Sequence, residues 1–188
     1  MSLFLNNLND HIALFKNLEP LDKPILTASK LIIACLKNSN KLMICGNGGS
    51  AADSQHIAAE FTGRFIKDRP PIAALALSTD TSAITCIGND YSFNEIFSRQ
   101  VRALGISGDC LIGISTSGNS ENVIQAVHAA NKMGISTIGL LGRDGGKLKS
   151  LCNLSITVPS EVTARIQEAH ILIGHTLCGS VEIGLDLV

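Results

Sequence analysis

Aromatic residues are scarce in this chain of 188 residues, at 4%, with one tyrosine and no tryptophan. Excess charge is missing as well. Lysines and arginines number 15 against 16 aspartates and glutamates, a formal net charge of −1 at pH 7. There is no basic run and no stripe of interleaved basic and aromatic side chains. The electrostatic footprint of a nucleic-acid binder or of a protein held on an anionic membrane is therefore absent. CxxC pairs are also lacking. The cysteines stand singly at 35, 45, 86, 110, 152 and 178, mostly within apolar runs. That argues against a thiol redox motif or a cysteine zinc site, and it predicts buried, reduced thiols in a cytoplasmic protein. No uncharged apolar run is long enough to span a bilayer. The opening MSLFLNNLND has neither the basic stretch nor the cleavage site of a signal peptide. Repeats and low-complexity segments are absent.

What is present is a globular composition: 45% hydrophobic and 16% charged residues, in a length that suits one domain with a substantial core. Residues 1–38 carry apolar positions at helical spacing: Leu5, Leu8, Ile12 and Phe15, then Ile25, Ala28, Ile32, Cys35 and Leu36. This predicts a helical arm of two amphipathic helices joined near Asp22–Pro24. Such an arm needs an apolar partner, in its own domain or in another subunit. From residue 41 short apolar runs take over, at 42–45, 72–77, 110–115, 136–141 and 154–158. Helical patterns separate them, at about 50–63, 94–103, 119–133 and 162–187. Strands that are apolar throughout are buried on both faces, so residues 39–188 read as a doubly wound α/β domain with a mainly parallel, five-stranded sheet. Ligands of such folds sit beyond the carboxyl ends of the strands.

Two loops at such ends carry chemistry. Cys45-Gly46-Asn47-Gly48-Gly49-Ser50 runs from the first strand into a helix. Its glycines allow close backbone approach, and the helix N-terminus offers N–H groups to an anion. The spacing also satisfies a loose GxGxxA dinucleotide pattern. The second loop, Ser115-Thr116-Ser117-Gly118-Asn119-Ser120, holds four hydroxyls and an amide. One helix cap needs one such residue, and the surplus suits a phosphate ester. Gly142–Leu148 resembles a Walker A loop but is one residue short and lacks the magnesium-binding Ser or Thr. Asp80 could bind a dinucleotide ribose, yet it lies too far from the first loop.

His56 and Glu60 stand at i and i+4 on one face of the helix after the first loop. Taken alone, they could equally be a pair on a solvent-facing surface. The last helix carries Gln167 and His175 eight residues apart, on nearly one stripe of an apolar helix where a polar group needs a partner. Two imidazoles, a carboxylate and an amide make a set for zinc or another divalent metal, or a set for proton transfer. Spacing does not choose between them. His11 and His128 read as surface residues.

The segments at 45–65, 76–101, 113–124, 142–147 and 163–178, which include CGNGGSAADSQHIAAEF, IGNDYSFNEIFSRQV, GISTSGNSENVI, GRDGGK and TARIQEAHILIGHTLC, resemble the sugar isomerase (SIS) domain family and, within it, the phosphoheptose isomerases. The resemblance covers essentially the whole chain. It implies conversion of sedoheptulose 7-phosphate to D-glycero-D-manno-heptose 7-phosphate, at the head of the route to ADP-heptose and the lipopolysaccharide core. It also implies a cytoplasmic homotetramer with active sites between subunits and one zinc per subunit. The family's metal motif falls on His56, Glu60, Gln167 and His175. Its substrate motifs fall on Asn47, Gly48 and Gly49, on Asn89 and Asp90, and on Ser115, Thr116, Ser117 and Ser120, with Glu60 and Gln167 also touching substrate. Glu60 and His175 are the expected acid–base pair. Some relatives have an aspartate where this chain has Ala164, so no contact of that aspartate carries over. The competing reading is a non-catalytic SIS module that binds a replication-initiation protein. Such a module has no need of both Glu60 and His175.

Overall fold

The computed structural model describes all 188 residues. Five strands, β1 (Leu42–Gly46), β2 (Ala74–Ala76), β3 (Cys110–Ser115), β4 (Ser136–Gly142) and β5 (Leu154–Val158), form one sheet in the order β2-β1-β3-β4-β5. Every pairing is parallel. The helices are α1 (Leu3–Phe15), α2 (Asp22–Lys37), α3 (Gly49–Thr62), α4 (Thr81–Asp90), α5 (Ile96–Leu104), α6 (Glu121–Lys132), α7 (Leu148–Leu151) and α8 (Thr163–Gly184).

The continuous apolar runs have their cause in the two covered faces of the sheet. Along β1, Leu42 and Ile44 enter the core beneath α2, α3 and α8, while Met43 and Cys45 enter the core beneath α4, α5 and α6. Along β3, Cys110, Ile112 and Ile114 join the first core and Leu111 the second. Each large side chain removed from water in this way contributes about 1.5–3 kcal/mol. At the amino ends of β1 and β3, the buried Asp109 accepts hydrogen bonds from Lys41 N (3.0 Å), Lys41 Nζ (2.6 Å) and Ile106 N (2.9 Å). Burial works to raise its carboxyl pKa, but the bonds from Lys41 and Ile106 outweigh burial and hold it below the usual range.

The helical arm differs from expectation in where it breaks. The break lies at 16–21, before Asp22, and Glu19–Leu21 forms a short 3₁₀ turn. Pro24 falls in the first turn of α2, where a missing N–H costs nothing because that donor has no intrahelical partner. α2 belongs to the first core through Ala28, Ile32 and Cys35. α1 buries only Leu14. α4 and α7 were not foreseen; β-branched and small polar residues dominate Thr81–Asp90, and Ile87 is its one buried side chain. No helix is long and apolar enough to cross a membrane.

Candidate active site

Strand order places the two predicted loops side by side. From β1 the chain moves outward to β2 and then returns across to β3, so the strand order reverses between β1 and β3. Crossover helices diverge at such a switch point and leave a crevice at the carboxyl ends. Gly46 of β1 pairs in register with Ile114 of β3, which brings Asn47–Gly49 beside Ser115–Ser120. Asn47 of the first loop and Asn122 in the first turn of α6 are joined by reciprocal amide hydrogen bonds, both 2.8 Å. Gly48 and Gly118 have φ values of 54° and 66°, a region open to glycine.

Both helices that start here, α3 and α6, lack a side-chain cap. Ser120 sits at the α6 N-cap position, but its hydroxyl faces Ser115 Oγ at 2.9 Å instead of the helix. Ordinary capping therefore does not account for it. Ser50 N and Ala51 N bond to Asn47 O and Gly48 O, and Val123 N to Ser120 O, so the helix starts offer an anion their remaining first-turn N–H groups and the positive dipole ends. Loop 142–147, the Walker-like segment, is a buttress. Leu148 N donates to Gly118 O and Lys147 N to Asn119 Oδ1, and a side chain at Gly118 would collide with Gly145. Asp80 caps α4 by accepting from Ala83 N, 2.9 Å.

The acid–base candidates come together from α3 and α8. The Nε2 atoms of His56 and His175 are 3.0 Å apart, and Glu60 Oε1 is 3.3 Å from His56 Nε2. One ligand atom from each of the three lies within 4.8 Å of the other two. The solvent-facing pair foreseen as one option is in fact a three-residue cluster. Phe65 backs His175, with ring centroids 5.4 Å apart. Gly174 makes the approach of the helices possible, because a Cβ there would stand 2.6 Å from Ile57 Cδ1. Gln167, two turns before His175, rests on Gly49, where any side chain would collide with its amide.

A divalent cation fits these donors. Tetrahedral zinc with bonds of 2.0–2.1 Å separates its ligand atoms by roughly 3.3 Å, close to both observed spacings. Asp53, one turn before His56, supplies further negative charge. Its Oδ2 is buried without a hydrogen-bond partner, and its pKa is raised by burial, an effect that His56 counters.

Asn89 and Asp90 end α4, exposed and bonded to each other (2.8 Å), with no hydrogen bond to either loop. The other histidines divide. His128 is exposed. His11 is tied to α8 through Glu168 Oε2 at 2.8 Å and so is not a free surface residue. His170 is fully buried, 3.0 Å from Leu141 O. All six cysteines are free. Cys86 is exposed and Cys152 half-buried, so the expectation of burial fails at these two. Arg69 and Glu182, a buried ion pair behind the cluster, escaped sequence reasoning because the partners are 113 residues apart. For Gly174, the signal was a glycine inside an apolar helix, which marks close approach.

The SIS domain family matches residues 6–142. A phosphoheptose isomerase of Nitratiruptor sp. is 61% identical over 158 residues, 84% of each chain. The structure of a phosphoheptose isomerase from Neisseria gonorrhoeae superposes with a TM-score of 0.91 at 48% identity, covering 96% of this chain and 97% of that one. One from Francisella tularensis gives 0.92 at 37% identity, covering 97% and 100%. None of these relatives supports the partner-binding alternative. With its all-parallel sheet, its paired loops at the switch point and these relatives, the chain belongs to the SIS domain family and, within it, to the phosphoheptose isomerases.

Proposed function

We propose that the chain interconverts sedoheptulose 7-phosphate and D-glycero-D-manno-heptose 7-phosphate through an enediol. The observation that carries this reading is the convergence of His175 from α8 with His56 and Glu60 on α3, the helix that begins at the phosphate-type loop. His56 lies seven positions after Gly49, about 10 Å along the helix. That span is comparable to the reach of a seven-carbon chain from its terminal phosphate to C1 and C2. Asn47–Gly49 and Ser115, Thr116, Ser117 and Ser120 hold the phosphate and neighbouring hydroxyls. Asn89, Asp90 and Gln167 complete the substrate contacts. Anchoring the remote phosphate aligns the reacting carbons.

Glu60 takes the proton from C1, exchanges with solvent at the enediol stage and delivers a proton to C2, while His175 protonates O2 and removes the proton from O1. A carboxylate has two oxygens, so one can face His56 while the other serves as the base. Zinc held by His56, Glu60, Gln167 and His175, about one per chain, would supply Lewis-acid polarisation of the substrate oxygens. The product leads toward ADP-heptose and lipopolysaccharide core, in the cytoplasm, and the working form is a homotetramer with sites between subunits.

The test is incubation of purified protein with sedoheptulose 7-phosphate in D₂O, followed by NMR. Aldose signals with deuterium at C2 are expected. Absence of both product and exchange would overturn the assignment.

A further inference from the structure

Arg69 lies in the irregular segment between α3 and β2, with its side chain 1% exposed. Its guanidinium gathers the carbonyls at the α3 C-terminus. Nη2 donates to Glu60 O (2.7 Å), and Nη1 donates to Phe61 O (2.8 Å), Gly63 O (3.2 Å) and Pro70 O (3.0 Å). The first two of these carbonyls are among those an α-helix leaves without internal partners, and a cation complements that end of the helix dipole. Nε donates to Glu182 Oε1 at 2.7 Å. Glu182 sits on α8, two turns beyond His175. The same Oε1 accepts from Phe65 N at 3.1 Å, and the Phe65 ring stacks on His175.

We propose that Arg69 and Glu182 form a positioning pair that sets Glu60 and His175 relative to one another. The proposal rests on the isomerase reading above. One end of the pair grips the backbone of the candidate base, and the other holds the residue behind the candidate acid. Fold stability alone is a poor account of the pair. Glu182 Oε2 is buried without a hydrogen-bond partner, and a well-packed apolar pair commonly stabilises as well or better than a buried ion pair. Lysine cannot replace the arginine, because one ammonium does not reproduce a planar fork that spans four carbonyls and a carboxylate. The pair acts at the end of α3 opposite the phosphate loops. Disturbing it should therefore separate turnover from substrate grip.

The experiment compares wild type, Arg69→Lys and Glu182→Gln as full-length proteins. It measures kcat and KM for sedoheptulose 7-phosphate, zinc affinity by titration, and amide exchange over residues 58–66. Arg69→Lys should lower kcat and zinc affinity by about 10–100-fold, the usual cost of losing a residue that orients metal ligands. KM should stay near wild type and exchange at 60–65 should rise. Glu182→Gln keeps an acceptor for Phe65 N–H and Arg69 Nε, so its losses should be smaller. A folded Arg69→Lys with wild-type kcat, zinc affinity and exchange overturns the proposal. So does a KM that rises in step with the fall in kcat, the mark of general loosening. If Arg69→Lys does not fold, Glu182→Gln decides by the same criteria. A wild type without isomerase activity would remove the functional reading, and the pair would then stand or fall on zinc affinity and exchange.

Discussion

Glu60 and His175 reach the cluster from different helices, so each can be replaced without disturbing the element that carries the other. Glu60→Gln removes a base and keeps the shape; His175→Ala removes an acid. Each should lower kcat by about 10²–10⁴-fold, the usual worth of general acid–base catalysis, with unchanged circular dichroism. Near-normal turnover in either variant would strike that residue from the mechanism. A different histidine governs stability. His170 is fully buried, with Nε2 bonded to Leu141 O and Nδ1 without a partner. Burial lowers its pKa to about 4, only partly opposed by the Leu141 carbonyl. The folded state thus favours neutral imidazole. Its contribution is full above the unfolded pKa of about 6.5 and is lost as pH falls toward 4. Urea unfolding at pH 7 and pH 4.5 should show wild type losing roughly 2–3 kcal/mol more than His170→Gln. Equal losses would mean that His170 takes up its proton without unfolding.

At the scale of elements, α3 does two jobs. Its N-terminus follows the Gly-rich loop and its middle carries His56 and Glu60. The second loop is legible in the sequence as a surplus of hydroxyls, and the structure gives the surplus a geometry, with Ser115 and Ser120 facing each other and α6 uncapped. A hydrogen bond to a charged group contributes about 1.5–3 kcal/mol. Ser115→Ala, Ser117→Ala and Ser120→Ala should therefore each raise KM by about tenfold or more, and inorganic phosphate should compete with substrate. Unchanged KM in all three would reduce the loop to a scaffold. α8 was legible as an apolar helix, but its role in closing the cluster was not. Proximity of His175 to His56 depends on Gly174 letting α8 settle against Ile57, a contact made across 117 residues of chain.

For the whole molecule, α1 poses the main question. Phe4, Leu5, Leu8 and Ile12 are 70%, 45%, 39% and 42% exposed, and their helical spacing puts them on one side of α1, the kind of apolar stripe that marks an interaction surface. α1 is tethered to α8 by hydrogen bonds from Arg165 to Asn7 O and between His11 and Glu168. A second copy covering this face would also sit near the residues that flank Gln167. Removing the entire arm would be a poor test, because Ala28 and Ile32 of α2 are fully buried in the core. Replacing Leu5, Leu8 and Ile12 with serine leaves that core intact. If the proposed tetramer forms through this face, the change should dissociate it in light scattering and lower specific activity. A wild-type monomer that is fully active at micromolar concentration would refute both assembly and shared sites.

The sequence by itself determined the parallel sheet, its five strands and the two polar loops where strands run into helices. These are local matters: apolar runs that must be covered on both faces, and glycine and hydroxyl residues where strands meet helices. It also named His56, Glu60, Gln167 and His175, without deciding what they form. Only the tertiary structure brought three of them within reach, because a contact across more than a hundred residues depends on how two helices pack and not on spacing along either one. The same holds for Arg69 and Glu182. A charged residue buried by a distant partner looks, in sequence, like any surface charge, and only packing separates the two.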